Sequence, residues 1–343
     1  MSRALPRASE NMRDKESIVS YSPLRVSFGG GGTDIPPFPE RYGGAALNTT
    51  IDLGVTASYS HDSMPLELSS RDYVRSLMGS ASKSQGMDGI MALLKKRGVV
   101  HGRVRINGDV PPGSGLASSS AMMTAISAIL LKRSGSSLAP DAIARLAYDS
   151  ERKSLGVLLG LQDPYAIAHG GFKFMSFEGE RVKIERFAKH SSFIKGLMSR
   201  VLLVYTGRSR YSGAILGEQA SAAAKGDKST IDRLMSLKEV ALSLREAVIH
   251  EDGEAFCDAV NSGWKIKKNL GSSVSNSSVD SMIRRGISNG AAAGRLLGGG
   301  SQGFVLFIAK ERMLGALQGS MLKISDFAFR AGLDVHGTRI LDR

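Results

Sequence analysis

The sequence predicts a mixed α+β protein, built as one large domain or two. Three observations carry that reading. The alternating stretch 102–108 runs through a glycine- and serine-rich loop into the apolar helical stretch 121–131. Short alternating or apolar segments at 18–28, 172–177 and 201–205 read as strands. Long patterns rich in Ala, Leu and Met fill 212–268 and read as helices. At 343 residues the chain is long enough for a sizeable core, and 42% hydrophobic with 22% charged content suits a soluble globular protein.

In chain order, residues 1–17 are polar, lack an apolar core like that of a secretory signal, and read as a frayed tail. The strand 18–28 enters Gly29-Gly30-Gly31-Gly32-Thr33-Asp34. Four consecutive glycines cannot form a strand or helix interior. Two readings stay open: close backbone approach to a substrate, with Thr33 and Asp34 presenting polar groups, or a flexible loop with an Asx-turn at Asp34. Short strands follow at 53–60 and 66–69, then a helical region over 72–98 whose apolar part is 90–94.

The loop 109–121 carries the clearest chemistry. Pro111 and Pro112 stiffen its entry. Gly113 and Gly115 permit positive φ and close backbone approach. Small residues at 117–121 open a helix whose first N–H groups lack helical partners, an end that attracts phosphate. Its serines can add hydrogen bonds or an oxygen ligand for Mg²⁺. No Gly-Lys-Ser/Thr follows, so this is not a Walker A loop, and Ser118 breaks Gly-x-Gly-x-x-Gly. The length of the strand, loop and helix arrangement favours a phosphate loop over a plain turn.

An amphipathic helix at 140–154 has Ala142, Ile143, Leu146 and Ala147 inside. Glu151 and Asp163 stand twelve positions apart, across an apolar glycine-containing loop that could enclose a carboxylate. Residues 183–195 read as a transition between domains. Arg208 and Arg210 follow the buried strand 201–205; they either meet a substrate anion or form a solvated pair. A helix at 279–290, a glycine-rich loop at 291–303, a strand at 304–308, a helix at 311–323 and a last edge strand within 327–339 complete the chain.

The net charge of +13 raises nucleic acid as a partner. Basic residues are scattered, however, and 6% aromatic content offers no base-stacking surface, so anionic small molecules are favoured over nucleic acid. No apolar run reaches a membrane span. The single Cys257 precludes an internal disulfide and fits a reducing cytoplasm.

The run Pro111-Pro112-Gly113-Ser114-Gly115-Leu116-Ala117-Ser118-Ser119-Ser120-Ala121 resembles the ATP-binding motif of the GHMP kinases, which include galactokinase, homoserine kinase and mevalonate kinase. Residues 22–34 and 42–52 are similar to the D-glycero-D-manno-heptose 7-phosphate kinase branch, and 298–303 resembles the family's third motif. The resemblance implies a GHMP-kinase two-domain fold: an N-terminal ribosomal-S5-like domain over 18–190 and a C-terminal ferredoxin-like domain over 191–343. It implies ATP and Mg²⁺, with ATP held by Pro112, Gly113, Ser114, Gly115, Leu116, Ala117, Ser118, Ser119, Ser120, Gly299 and Gly300. Ser119 and Glu151 would hold Mg²⁺, and Asp163 with Arg25 would act on the acceptor hydroxyl. Gly31, Gly32, Thr33, Asp34, Tyr165 and Arg208 would bind a small phosphorylated substrate. A homodimer stays open. The branch has Gly-Lys-Gln-Asp-Gln-Tyr where this chain has Gly160-Leu161-Gln162-Asp163-Pro164-Tyr165, which implies a less polar site. That keeps open a mevalonate phosphate as acceptor. A non-catalytic sensor is the remaining alternative, and the joint presence of Arg25, Glu151 and Asp163 argues against it.

Overall fold

The computed structural model describes residues 17–70, 85–154, 156, 158–188, 191–207 and 213–342. Arg208, and part of the helical region expected at 72–98, lie outside the described residues.

Two long antiparallel strands, β1 (Ser17–Gly29) and β2 (Gly44–Pro65), form the centre of a seven-stranded sheet. β2 is long enough to pair twice on its other side. Its first part pairs with β5 (Phe172–Glu178) and its later part with β4 (His101–Gly108). β3 (Glu67–Ser70) lies beyond β4, and β6 (Arg181–Arg186) beyond β5. The sequence reading began β2 only at 53, so it left out Asn48, Thr49 and Thr50. All three are buried, with their backbone paired to β1, and Asn48 and Thr49 pair with β5 as well. β6 falls in the expected domain transition; its solvent-facing, charged sequence hides an edge strand.

One face of this sheet is covered by α3 (Ser118–Arg133), which follows α1 (Phe38–Tyr42) and α2 (Gln85–Lys96). Twelve of the sixteen residues of α3 are buried, so it is apolar or small all round, as a central helix must be. α4 (Pro140–Ser154) and α5 (Gln162–His169) pack outside it.

After α6 (Ser192–Met198) comes a second sheet of β7 (Val201–Tyr205), β8 (Ala291–Leu296), β9 (Phe304–Ala309) and β10 (Ala328–Arg330). Its order is β10-β7-β9-β8, all antiparallel. Four helices, α7 (Gly213–Ala224), α8 (Lys228–Ile249), α9 (Gly253–Lys267) and α10 (Ser277–Ser288), lie between β7 and β8. α11 (Leu314–Met321) lies between β9 and β10. This is the ferredoxin-like arrangement that the resemblance implied. β8 was expected as part of a glycine loop. Its small residues serve packing instead: a Cβ on Gly294 would come within 2.9 Å of the Phe307 ring.

The halves share one core. α8 packs on β1, where a Cβ on Gly29 would lie 2.4 Å from Leu244 Cδ1. The Phe28 ring lies 5.4 Å from that of Phe172 and 5.2 Å from that of Phe256. The expected last edge strand is in fact two. β10 completes the second sheet, whereas β11 (Arg339–Leu341) returns to pair with β1. On the way, the N–H of Thr338 donates to Ile167 O at the end of α5. Among the described residues no helix is long and apolar enough to cross a membrane.

One buried charge invites a stability test. Lys173 on β5 is fully enclosed, and its Nζ donates to Gly171 O at 2.8 Å. Burial, with help from the Arg186 charge, pushes it well below the ordinary 10.5, so the fold carries a penalty for its protonated form. Lys173→Met should therefore stabilise the protein by about 1–4 kcal/mol at neutral pH. The penalty is full below the depressed pKa and fades as pH climbs toward 10.5, so the gain should shrink on that side. Urea melts at several pH values check it; a destabilised variant at every pH would contradict it.

Candidate active site

A cleft between the halves gathers most of the residues singled out in the sequence. It is lined by β1, the Gly29–Asp34 loop, the phosphate loop, the start of α3, the turn before α5, the end of α9 and the glycine loop after β8.

At its centre stands an ion pair. β1 carries Arg25, whose Nε and Nη2 donate to Asp163 Oδ1 at 2.7 and 2.6 Å. Nη1 donates to Gly115 O at 3.0 Å, and the Arg25 N–H donates to Leu116 O at 3.1 Å. Arg25 thus binds the phosphate loop to the first turn of α5, where Asp163 sits. Asp163 Oδ2 has no protein partner among the described residues, and its side chain is 27% exposed toward the cleft. One oxygen is held in place while the other is available to a ligand.

The phosphate loop has the backbone that its residues require. Gly113 has φ 73° and Gly115 φ 82°. Ala117 adopts φ 59°, a left-handed conformation that a residue with a Cβ holds at a cost. Gly113, Gly115, Ala117 and Ser118 to Ser120 line the cleft. Ser114 and Leu116 do not: both side chains are fully buried, and only their backbones take part. Ser114 O accepts the N–H of Phe304 at 3.0 Å. Pro112 lines a smaller pocket that adjoins the cleft through Ser118 and Ser119, with Val55, Ile106, Val110 and Met122. The glycine loop after β8 presents Gly298, Gly299, Gly300 and Gln302.

Glu151 on α4 reaches the start of α3. Ser119 Oγ donates to its Oε1 and Ser120 Oγ to its Oε2, each at 2.8 Å. The carboxyl is buried, and desolvation pushes its pKa up to about 7 despite these two hydrogen bonds. A cation at this position would favour the ionised form. Mg²⁺ commonly takes one or two carboxylates and completes its shell with phosphates and water. Oxygens of Ser119 and Glu151 spaced at 2.8 Å suit neighbouring corners of an octahedron with metal–oxygen bonds of about 2.0–2.1 Å. No group of three or more His, Cys, Asp or Glu is placed to hold a metal among the described residues, so a metal here needs oxygens from a ligand as well.

Asp34 makes no Asx-turn: its carboxylate bonds backwards to Gly32 and across to Gln162, and residue 36 is a proline with no N–H to offer. Asp34 Oδ1 accepts the N–H of Gly32 and Oδ2 that of Gln162, each at 3.0 Å, and the residue lines the cleft. Burial first, and then the Asp163 charge, raise its pKa. Gly160 makes room for it, since a Cβ there would fall 1.8 Å from Asp34 Oδ2. Gly31 and Gly32 also line the cleft.

Thr33 and Tyr165 are not brought to the cleft, contrary to expectation. The Thr33 hydroxyl lies 2.8 and 2.9 Å from the carbonyls of Gly30 and Ala45 and accepts the Ala45 N–H, so its role is to pin the loop. Tyr165 packs in an apolar cluster and stacks on His169. Leu161 and Pro164 are likewise buried away from the cleft, Leu161 in that same cluster. Pro164 lies in the first turn of α5, where a missing N–H costs little. These two residues therefore do not make the cleft less polar, and that expectation is corrected.

Two cations were missed. Lys267 ends α9, and Arg295 lies on β8; both line the cleft and both are buried. Lys267 hides in the basic run 265–268. Its helical spacing from Val260 and Trp264, both buried, was the signal that it faces inward.

A glycine-framed loop at a helix start, a carboxylate beside its serines and an arginine-tethered aspartate thus meet in one cleft. Residues 84–171 match the family model for the GHMP kinases N terminal domain. A D-glycero-alpha-D-manno-heptose 7-phosphate kinase of Campylobacter jejuni subsp. jejuni serotype O:2 is 28% identical over 333 residues, covering 92% of this chain and 97% of its own. Two solved structures share the fold. One is a D-glycero-D-manno-heptose 1-phosphate kinase from Bacteroides thetaiotaomicron, with TM-score 0.75, 22% identity and coverage of 95% of this chain and 99% of that one. The other is Lactococcus lactis galactokinase complexed with galactose, with TM-score 0.76, 14% identity and 96% coverage of both chains. The chain thus carries a GHMP kinase N-terminal domain within a GHMP kinase fold, and it is a phosphotransferase acting on a hydroxyl group.

Proposed function

We propose that the protein transfers the γ-phosphoryl group of ATP to a hydroxyl of a sugar phosphate, with D-glycero-D-manno-heptose 7-phosphate as the first candidate. The observation that carries this reading is the Arg25–Asp163 pair anchored on Gly115 O, which puts an oriented carboxylate beside the phosphate loop. The Campylobacter jejuni relative, similar along nearly the whole chain, supplies the candidate acceptor.

Backbone N–H groups of 113–120, with Gly299 and Gly300, face the donor phosphates. Ser119 and Glu151 would hold Mg²⁺, which would neutralise phosphate charge when bound. Gly31, Gly32 and Asp34 frame the acceptor. The free Asp163 oxygen accepts the hydrogen of the acceptor hydroxyl and orients its oxygen for in-line attack. The new O–P bond forms as the bond to the β-phosphate oxygen breaks. ADP leaves, and the hydroxyl proton passes to Asp163. Arg25 holds Asp163 fixed in place. The reading places the reaction in the cytoplasm, supported by its need for ATP and by the free Cys257.

The mevalonate-phosphate alternative rested on Leu161 and Pro164 and loses that support, since neither lines the cleft. A non-catalytic sensor would have no need for Arg25, Glu151 and Asp163 to be held around one cleft. An ADP-release screen of the purified protein with MgATP against heptose, hexose and mevalonate phosphates tests the reading. ADP release that depends on a sugar phosphate is the expected result. No turnover with any acceptor, despite ATP binding, would favour the sensor.

Glu151→Gln should raise the Mg²⁺ concentration for half-maximal rate at least about tenfold. Titration of the rate with Mg²⁺ at saturating ATP checks this, and an unchanged midpoint would remove Glu151 from the metal site.

A further inference from the structure

The cleft holds two cations that the chemistry above leaves unused. Lys267 is 7% exposed and Arg295 2%. Among the described residues, each hydrogen-bonds only to a backbone carbonyl. Lys267 Nζ donates to Gly298 O at 2.9 Å, and Arg295 Nη1 donates to Phe28 O. Arg295 Nε has no partner among the described residues. An ammonium offers three donors and a guanidinium five, so most of this capacity is unspent in an enclosed place.

The surrounding charges relieve them only in part: Asp34 and Asp163 favour the charged form of Lys267, while Arg295 and Arg25 oppose it. Arg25 adds a third positive charge, and Asp163 holds that arginine through Oδ1. The two Asp34 oxygens already accept backbone N–H groups. Desolvation, followed by the charges of Arg295 and Arg25, pushes Lys267 down to about 7, while desolvation and Arg25 push Arg295 down to about 10. Buried cations only partly matched by anions are costly to keep. A ligand that brings negative charge removes that cost when it binds.

The position narrows the ligand. Lys267 Nζ touches the glycine loop at Gly298 and lies 3.7 Å from where a Cβ on Gly31 would stand. It therefore lies between the loop that packs on the phosphate loop and the loop that frames the acceptor. Both cations come from the second half of the chain and face a cradle built by the first.

We propose that Lys267 and Arg295 form a phosphate-binding pair that closes the cleft opposite the phosphate loop. The ligand group is a phosphate monoester or terminal phosphoryl, from one of two sources: the end of the donor, or the phosphate the acceptor already carries. The assignment of these sources rests on the kinase reading above.

Calorimetry on the whole protein tests it, with Lys267→Met, Arg295→Met and Lys267→Arg. The probes are MgADP, the Mg²⁺ complex of AMPPNP, D-glycero-D-manno-heptose 7-phosphate and the same heptose without its phosphate. Both Met variants should bind MgADP within about threefold of the parent and lose at least about tenfold for one phosphate-bearing probe. Lys267→Arg should keep most of the affinity. Loss confined to AMPPNP assigns the donor's terminal phosphate. Loss confined to the heptose 7-phosphate, and not seen with the bare heptose, assigns the acceptor's phosphate. Parent-like binding of every probe by both Met variants would overturn the pair. So would equal loss for MgADP and bare heptose in a variant that melts at the parental temperature. Should the parent turn over no acceptor while Lys267→Met still weakens AMPPNP, the kinase reading fails and the pair stands. Turnover with unchanged probe affinities gives the reverse.

Discussion

Replacing Asp163 with asparagine should lower kcat by about 10³-fold, in the range that a lost general base or hydroxyl-orienting group costs. Affinity for MgATP should stay within about threefold of the parent. The two effects separate because Asp163 Oδ1 is spent on Arg25, while Arg25 is also tied to Gly115 O. Asparagine preserves the shape and one acceptor oxygen for the guanidinium, so the phosphate loop keeps its anchor. It removes the negative charge and the oxygen that faces the cleft. Single-turnover rates with calorimetric ATP affinities check both parts, and an unchanged rate would remove Asp163 from the mechanism.

Gly115→Ala should damage the nucleotide site directly. Gly115 has φ 82°, and a Cβ there would lie 2.7 Å from Leu297 O, a backbone atom that cannot swing aside. The opposing Gly298 is as tightly placed, with its own Cβ position 2.6 Å from Gly115 Cα. The two glycine loops touch backbone to backbone. The variant should lose about 1–3 kcal/mol of stability and at least tenfold in MgADP affinity. Gly135→Ala serves as a control: its φ is 67°, but nothing lies within 4 Å of its Cβ position. That change should cost stability alone. Melting temperatures and MgADP calorimetry separate the cases, and parental MgADP affinity in Gly115→Ala would contradict the loop-to-loop contact.

The phosphate loop was legible in the sequence because proline and glycine act through local sterics that composition states outright. The ends of α4 and β7 were legible for a similar reason, since periodicity and helix-entry residues bound them. Burial set by distant partners was not. Asn48, Thr49 and Thr50 fell outside the expected strand and lie in the middle of the sheet, because β1 pairs with all three and β5 with the first two. The final segment read as one strand and is two, each claimed by a different sheet. Within the site, nearness in sequence misled. Tyr165 lies two positions after Asp163, and two steps on an α-helix turn a side chain by about 200°, onto the opposite face. Thr33 neighbours Asp34 in a tight turn and points the other way, into the loop's own carbonyls. Lys267 and Arg295 were missed because a lysine run and a small-residue strand do not show which of their members the fold encloses.

The central claim is transfer to a sugar phosphate hydroxyl, and ³¹P NMR of the purified protein with MgATP and D-glycero-D-manno-heptose 7-phosphate tests it most directly. The account predicts a second phosphate ester resonance on the sugar, growing in step with ADP and absent with Asp163→Asn. Release of inorganic phosphate in place of that ester, or ADP formation that ignores the sugar, would contradict it.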